Sequence, residues 1–214
     1  MTRSISFKSA AMALSLSYAV LSTPALAHGH HHHDHKQIHQ GVFDNADVQN
    51  RTLADWQGSW KSLYPLLQNG TLDEVFEHKA AINKDKTVAE YKAYYKKGYA
   101  SDITAITITP DSISFTQQGK TSKGIYAYSG FKILHYPSGR KGVRYLFTRS
   151  SGDANAPKFV QFSDHDIEPT QAAHFHIFFG NESHVQLEKE LTNWPTFFPA
   201  KMNNEQIVAD LMLE

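Results

Sequence analysis

The chain has 214 residues, equal numbers of basic and acidic side chains (21 Lys+Arg, 21 Asp+Glu), 13 histidines and no cysteine. That balance argues against the clustered cations of a nucleic-acid surface. The missing thiols are expected to rule out disulfides, thiolate metal sites and a lipid-bearing cysteine, so any metal has to be held by imidazole and carboxylate.

The chain opens MTRSISFKSAAMALSLSYAVLSTPALA: two cations (Arg3, Lys8), a short apolar run, then Pro24 and a small-x-small end at Ala27. This pattern predicts a cleaved signal peptide over 1–27 and export to the periplasm. The run is too short and serine-rich for a spanning helix, and no longer one follows, so no membrane insertion is expected of the rest. Residues 28–214 suit one well-buried domain.

Next comes AHGHHHHDHKQIH at 27–39, which holds seven of the histidines. We read residues 28–50 as a mobile or extended leader with an auxiliary metal-collecting role for His28, His30, His31, His32, His33, His35 and His39. At neutral pH most imidazoles are deprotonated and available as ligands, and a flexible tract offers many exchangeable sites near a better one. Cleavage after Ala27 would also expose His28-Gly29-His30, whose amine, amides and third-position imidazole suit square-planar Cu(II) or Ni(II).

The folded domain is expected over 51–214. DWQGSWKSLYPLL predicts a first strand over Trp56–Lys61 with a flanking turn. Thr71 with Glu74 and Thr87 with Glu90 have the spacing of capping boxes and predict two helices, LDEVFEHKAAI and VAEYKAYYKKGY. From Ile103 the period changes to alternation. ITAITIT, SISFTQ, GIYAYS, FKILHY, VRYLFTR, KFVQFSD and HFHIFF read as seven strands punctuated by turns at Pro110, Gly119, Gly130, 137–142 and 152–157. NNEQIVADLMLE predicts a terminal amphipathic helix. The eight strands close most economically into an up-and-down antiparallel barrel, which leaves no unpaired edge, although a sandwich also fits. Gly58-Ser59-Trp60 resembles the G-x-W of lipocalins.

FSDHDIEPTQAAHFHIFFG, residues 162–180, carries the chemistry. His174 and His176 are two apart in a strand and project from one face, with Phe175 and Ile177 facing the other way into a core. His165 ends the preceding strand, and the connection is long enough to fold back so that the three rings converge. Three neutral imidazoles are a common shell for Zn²⁺ with a fourth position open. Asp164, Asp166 and Glu168 are near enough in sequence to ligate or to orient the rings. An exposed polar sheet face would account for an isolated H-x-H, but a histidine-rich chain without cysteine favours metal. His78, His135 and His184 stand alone and read as surface or hydrogen-bonded histidines.

Longer stretches carry a resemblance. GVFDNADVQNRTLADWQGSWKSLYPLLQNG, KKGYASDI, YPSGRKGVRYLF, APKFVQFSDH, HFHIFFGN and NWPTFFP, together with the His-rich start, resemble the ZinT family of periplasmic zinc-binding proteins over nearly the whole chain from His28. The resemblance implies a mainly β, lipocalin-like (calycin) eight-stranded barrel with helices added near the N-terminal side and at the C-terminus. It implies zinc held at the barrel opening by His165, His174 and His176, recruited under scarcity and passed to the periplasmic zinc-binding component of a zinc ABC transporter. It also implies cadmium binding. A monomer and no catalysis are expected. Some relatives carry a cysteine pair near TSKGIYAY and YLFTR; this chain has none, which leaves the proposed ligands untouched. Two other readings are a His₃-zinc hydrolase or hydratase, for which no H-E-x-x-H supplies a base, and a carrier of an apolar small molecule in the barrel.

Overall fold

A computed structural model describes residues 34–213; the expected signal peptide and His28, His30, His31, His32 and His33 lie outside the described residues. Eight strands form a closed antiparallel barrel in chain order: β1 (Gly58–Ser62), β2 (Ile103–Ile108), β3 (Ser112–Gln117), β4 (Lys120–His135), β5 (Lys141–Gly152), β6 (Phe159–Ser163), β7 (Phe175–Gly180) and β8 (Thr196–Pro199). β8 returns to β1 through Trp60↔Pro199, Lys61↔Phe198 and Ser62↔Phe197, which completes the closure expected from the strand count.

The count agrees with the sequence reading, but two strands are composed differently. GIYAYS and FKILHY are a single long strand, β4, whose register against β5 slips between Tyr128 and Phe131. Gly130 lies there at φ +100°, so the glycine read as a turn is a bulge that bends one strand without ending it. The eighth strand is instead TFFP, too short and too closely framed by Pro195 and Pro199 to show an alternating period.

Helices α2 (Tyr64–Gln68), α3 (Asp73–Asn83) and α4 (Val88–Tyr99) fill the long β1–β2 connection, α5 (His184–Glu188) precedes β8, and α6 (Asn204–Leu211) follows it. The Thr87–Glu90 capping box forms as expected, with reciprocal bonds at the start of α4. The Thr71–Glu74 box does not: α3 starts from Leu72 without a side-chain cap, and Thr71 donates its hydroxyl to Asn69 Oδ1 at 2.7 Å. Asn69 captures the threonine in a local turn before the helix can use it.

Alternation along the strands sorts side chains into two cores. Val143, Tyr145 and Phe147 of β5, Val160 and Phe162 of β6, and Phe175 and Ile177 of β7 fill the lumen around Trp56. Outside the wall, Leu63, Leu67, Phe76, Tyr91, Tyr99, Ile207 and Leu211 pack the helices against Phe198 of β8. Its neighbour Phe197 points inward, so two adjacent residues of one short strand serve the two cores.

Residues 34–50, expected as extended leader, are partly built into the domain. α1 (His35–His39) begins with a capping box from Asp34. Beyond it Ile38, Phe43 and Val48 pack into the lumen core. Gly41, at φ +76°, accepts a hydrogen bond from Lys141 N at 2.8 Å. The polar composition of this stretch conceals three apolar anchors. Among the described residues no helix is long and apolar enough to cross a membrane.

Gly98 marks a close approach between α4 and the segment that leads into β8. A Cβ there would lie 2.4 Å from the Trp194 ring, and Trp194 N donates to Gly98 O at 2.6 Å. Gly98→Ala normally favours a helix, but here it would overpack a rigid aromatic. The expected result is a loss of about 1–3 kcal/mol in urea unfolding; a gain in stability would show that Trp194 moves freely.

Candidate metal centre

Ser163 of β6 pairs with His176 of β7, which pairs in turn with Thr196 of β8. Phe175 and Ile177 are fully buried in the lumen, so His174 and His176 lie on the outer face of the wall. This corrects the expected position at the barrel opening: the cluster lies at one end of the barrel but outside its lumen. The reason is the two-residue period, because the lumen-facing phase of β7 is taken by apolar side chains.

His165 completes the cluster. Its ring centroid is 5.9 Å from that of His174 and 5.3 Å from that of His176, and the His174 and His176 rings are 5.7 Å apart. One donor nitrogen from each of the three lies within 4.8 Å of the others, an arrangement that can hold a metal ion. The two Nε2 atoms of His165 and His176 approach to 3.2 Å.

His165 reaches this position in the left-handed region, at φ +70°. A non-glycine residue there costs of order 1 kcal/mol and persists only where its surroundings enforce it. The enforcement comes from both flanks. Arg51 Nη1 donates to Asp164 Oδ1 at 2.6 Å, immediately before the histidine, and Nη2 donates to Thr170 O at 2.9 Å beyond it. Burial works against the charge of the guanidinium, but its hydrogen bond to Asp164 and the carboxylate charge outweigh that and hold its pKa above the ordinary value.

His176 is oriented from behind. Its Nδ1 lies 2.8 Å from Thr196 Oγ1, and that hydroxyl donates to Trp194 O at 2.9 Å. With its proton committed to Trp194, Thr196 has to accept from His176 Nδ1–H. The tautomer this selects leaves a lone pair on Nε2, aimed into the cluster. His174 stacks on Phe198, with centroids 5.0 Å apart and planes 8° from parallel. Burial pushes the pKa of His176 well below the ordinary imidazole value, reinforced by His165 and His174, and burial also lowers that of His174. Both rings are therefore held neutral, the form that binds a metal.

The NWPTFFP segment thus supports the cluster throughout. Asn193 Nδ2 donates to the carbonyls of Lys97, Gly98 and Ala100 and caps the end of α4. Trp194 packs on Gly98, Thr196 fixes His176, and Phe198 backs His174. Sequence spacing finds the three histidines but misses Thr196, whose only signal is its place in a motif of the resemblance.

Of the acids read as candidate ligands, Asp164 and Asp166 have other partners. Asp164 pairs with Arg51 with neither side chain accessible to solvent. Asp166 Oδ1 lies 3.2 Å from His39 Nε2. Glu168 is exposed and is not part of the cluster. Of the leader histidines in view, His35 and His39 line the space above the cluster, and the His39 ring lies 6.1 Å from that of His165. His184 is separate: it bonds Thr148 at 3.0 Å and Gln161 on the outer wall, as expected of a hydrogen-bonded histidine. His78 and His135 do not join the cluster either.

Fold and site together define a lipocalin-like barrel bearing on its outer rim a cluster of three histidines that could hold a metal ion. The chain belongs to the ZinT family, described as ZinT (YodA) periplasmic lipocalin-like zinc-recruitment, whose model matches residues 34–214. It is 47% identical over 177 residues to the zinc-binding lipoprotein AdcA of Streptococcus pneumoniae strain R6, covering 83% of this chain and 35% of AdcA. It is 45% identical to the probable metal-binding protein YrpE of Bacillus subtilis strain 168, covering 83% of this chain and 70% of YrpE. The crystal structure of the Zn(II)-bound ZinT-like domain of the pneumococcal AdcA matches with a TM-score of 0.80 at 47% identity, over 84% of this chain and 99% of that domain. This chain therefore spans about a third of AdcA, and its likeness lies with that domain.

Two outcomes follow from the support around the rings. Thr196→Val, which keeps the shape and removes the acceptor, is expected to weaken metal binding by about 10- to 100-fold with little change in the far-ultraviolet spectrum; calorimetric titration reads it. The second concerns the chelator-treated chain. His174 and His176 have folded pKa values below the unfolded value of about 6.5, so the unfolded state binds more protons and stability is lost as pH falls from about 6.5 through the folded values. The melting temperature of metal-free protein should drop between neutral and mildly acidic pH, and His176→Gln should flatten that slope.

Proposed function

We propose that the chain does the work of ZinT itself: it captures zinc after export to the periplasm and passes it towards a zinc-uptake ABC transporter. His165, His174 and His176 are the three ligands. The convergence of three imidazole donors within 4.8 Å carries this reading, because three neutral nitrogens in a Cys-free site match the chemistry of Zn²⁺ with an open fourth position. The Zn(II)-bound relative and the zinc-binding name of AdcA support the metal and the transport setting. Cadmium shares the donors, and nickel and copper would compete in vitro. A centre built wholly from one chain supports action as a monomer.

Hand-over is favoured over hydrolysis. A hydrolytic zinc site needs a base beside its bound water. Here Asp164 is committed to Arg51 and Asp166 faces His39. His28, His30, His31, His32, His33, His35 and His39 would serve as an auxiliary collecting tract, supported by the place of His35 and His39 above the cluster.

The test is a calorimetric zinc titration of three chains lacking residues 1–27: intact, His174→Ala with His176→Ala, and one with the seven leader histidines changed to alanine. The tight site should vanish in the second and survive within a few-fold in the third. Tight binding that follows the leader instead would remove the barrel centre from the account.

A further inference from the structure

The three histidines open into a vestibule of about 740 Å³, far more room than one water ligand needs. Its lining combines two features that sit oddly around a cation site. Three permanent cations contribute to it: Lys36 of α1, Lys79 of α3 and Arg140 of the β4–β5 turn. Among the described residues no carboxylate lines it. Lys36 and Arg140 are exposed, and neither makes an ion pair with a described residue. Tyr94, Tyr95 and Trp194 form an apolar wall beside them.

This charge pattern opposes a bare dication. Three imidazoles are neutral, so zinc bound to them keeps its full double charge, and nearby cations would repel it in a region partly screened from water. Of the two carboxylates that flank His165, Asp164 is bound by Arg51 and Asp166 Oδ1 lies 3.2 Å from His39 Nε2. Lys141 and Arg144, in the adjoining cavity, are likewise occupied. Lys141 donates to Phe43 O and Asn45 Oδ1, and Arg144 donates to the carbonyls of Leu187 and Glu190. Lys36 and Arg140 therefore border the same space as the three imidazoles with no ion-pair partner among the described residues.

We infer that the vestibule binds a small oxyanion, a carboxylate or a phosphate, which takes the fourth position on zinc while Lys36 and Arg140 hold its outer oxygens. The metal is then carried as a ternary complex. The anion adds negative charge to that of Asp166 and Asp210, whose carboxylates already act on His174, and removing it would loosen the metal for transfer. This rests on the assignment of His165, His174 and His176 as the zinc ligands. A guanidinium and an ammonium group bind carboxylate and phosphate oxygens through charge-assisted hydrogen bonds, and a vestibule of this volume has room for such an anion.

The test uses the chain without residues 1–27 and cobalt(II), whose visible spectrum reports its ligands, in a non-coordinating buffer. Acetate and phosphate are added in separate arms, with zinc affinities measured in parallel and corrected for metal bound by the free anion. One or both anions should change the cobalt spectrum and tighten zinc by about tenfold or more, and the effective arm identifies the class. Lys36→Gln with Arg140→Gln should bind zinc in anion-free buffer as well as the parent or better, yet lose the anion response. That inversion separates an anion site from mere repulsion or damage to the fold. Insensitivity of the parent to both anions, or an unchanged response in the double variant, would overturn the inference. Failure of the underlying ligand assignment looks different: cobalt would bind His174→Ala/His176→Ala with the parent spectrum.

Discussion

Arg51 lies entirely out of solvent, with its guanidinium 4.2 Å from the Trp56 ring centroid and 5.1 Å from that of Tyr145. Burying such a charge costs several kcal/mol unless its partners are well placed. Here they are Asp164 and the carbonyls of Asp166 and Thr170, all from the β6–β7 connection. The residue thus joins the aromatic floor of the lumen to the one loop that must make an unusual turn. Removing either charged partner would leave the other buried alone, so the pair is obligatory once formed. Its consequence for the site is local and geometric: Asp164 is fixed just before His165 and Thr170 beyond it, and the histidine between them is held in its left-handed conformation. A strained histidine can be kept in place because one buried guanidinium grips the loop on both sides of it.

The other two rings inherit their positions from the sheet. Because alternation runs through β7 and the residue just before it, side chains that stabilise the lumen and two that form the cluster come from one short stretch: Phe175 and Ile177 inward, His174 and His176 outward. Barrel packing and ring placement are thereby a single constraint. β8 repeats the arrangement with Phe197 inward and Phe198 beneath His174. Helix α4 enters through Gly98, which lets Trp194 approach closely, and Trp194 in turn presents the carbonyl that sets the hydroxyl of Thr196. A short chain of contacts therefore runs from a helix glycine to the tautomer of an imidazole in the cluster.

These relations explain what could be read from the sequence. The H-x-H spacing already places two rings on one face, since the period of a strand is fixed by its backbone. Convergence of His165 is only permitted by spacing; its cause is Arg51, more than a hundred residues away, and no local pattern announces a partner at that range. The strand count comes out right while two members differ, because Gly130 carries the same letter as a turn glycine yet bends a continuous strand, and TFFP is too short to show a period. Thr71 has the letters of a cap, but Asn69 competes for its hydroxyl. In residues 34–50 the abundance of His, Asp, Asn and Gln hides Ile38, Phe43 and Val48, which do the packing. The long motifs of the family resemblance compensate where periodicity fails, and they bring in the NWPTFFP segment without revealing its role.

The lumen shows where the barrel's usual capacity has gone. An eight-stranded barrel has room for packed side chains or for one small ligand. Here Trp56, Tyr145, Phe162 and Phe175 occupy it: Trp56 stacks on Phe162 at 4.9 Å, and Phe175 meets Phe162 edge-on at 5.1 Å. That filling argues against an apolar cargo inside the barrel and makes the wall stiff. A stiff wall can hold imidazoles on its outer face at fixed separations, while helices and the β6–β7 loop supply what the sheet cannot. The histidine cluster therefore lies not inside the barrel but on its outer rim, where it opens into the space lined by His35 and His39.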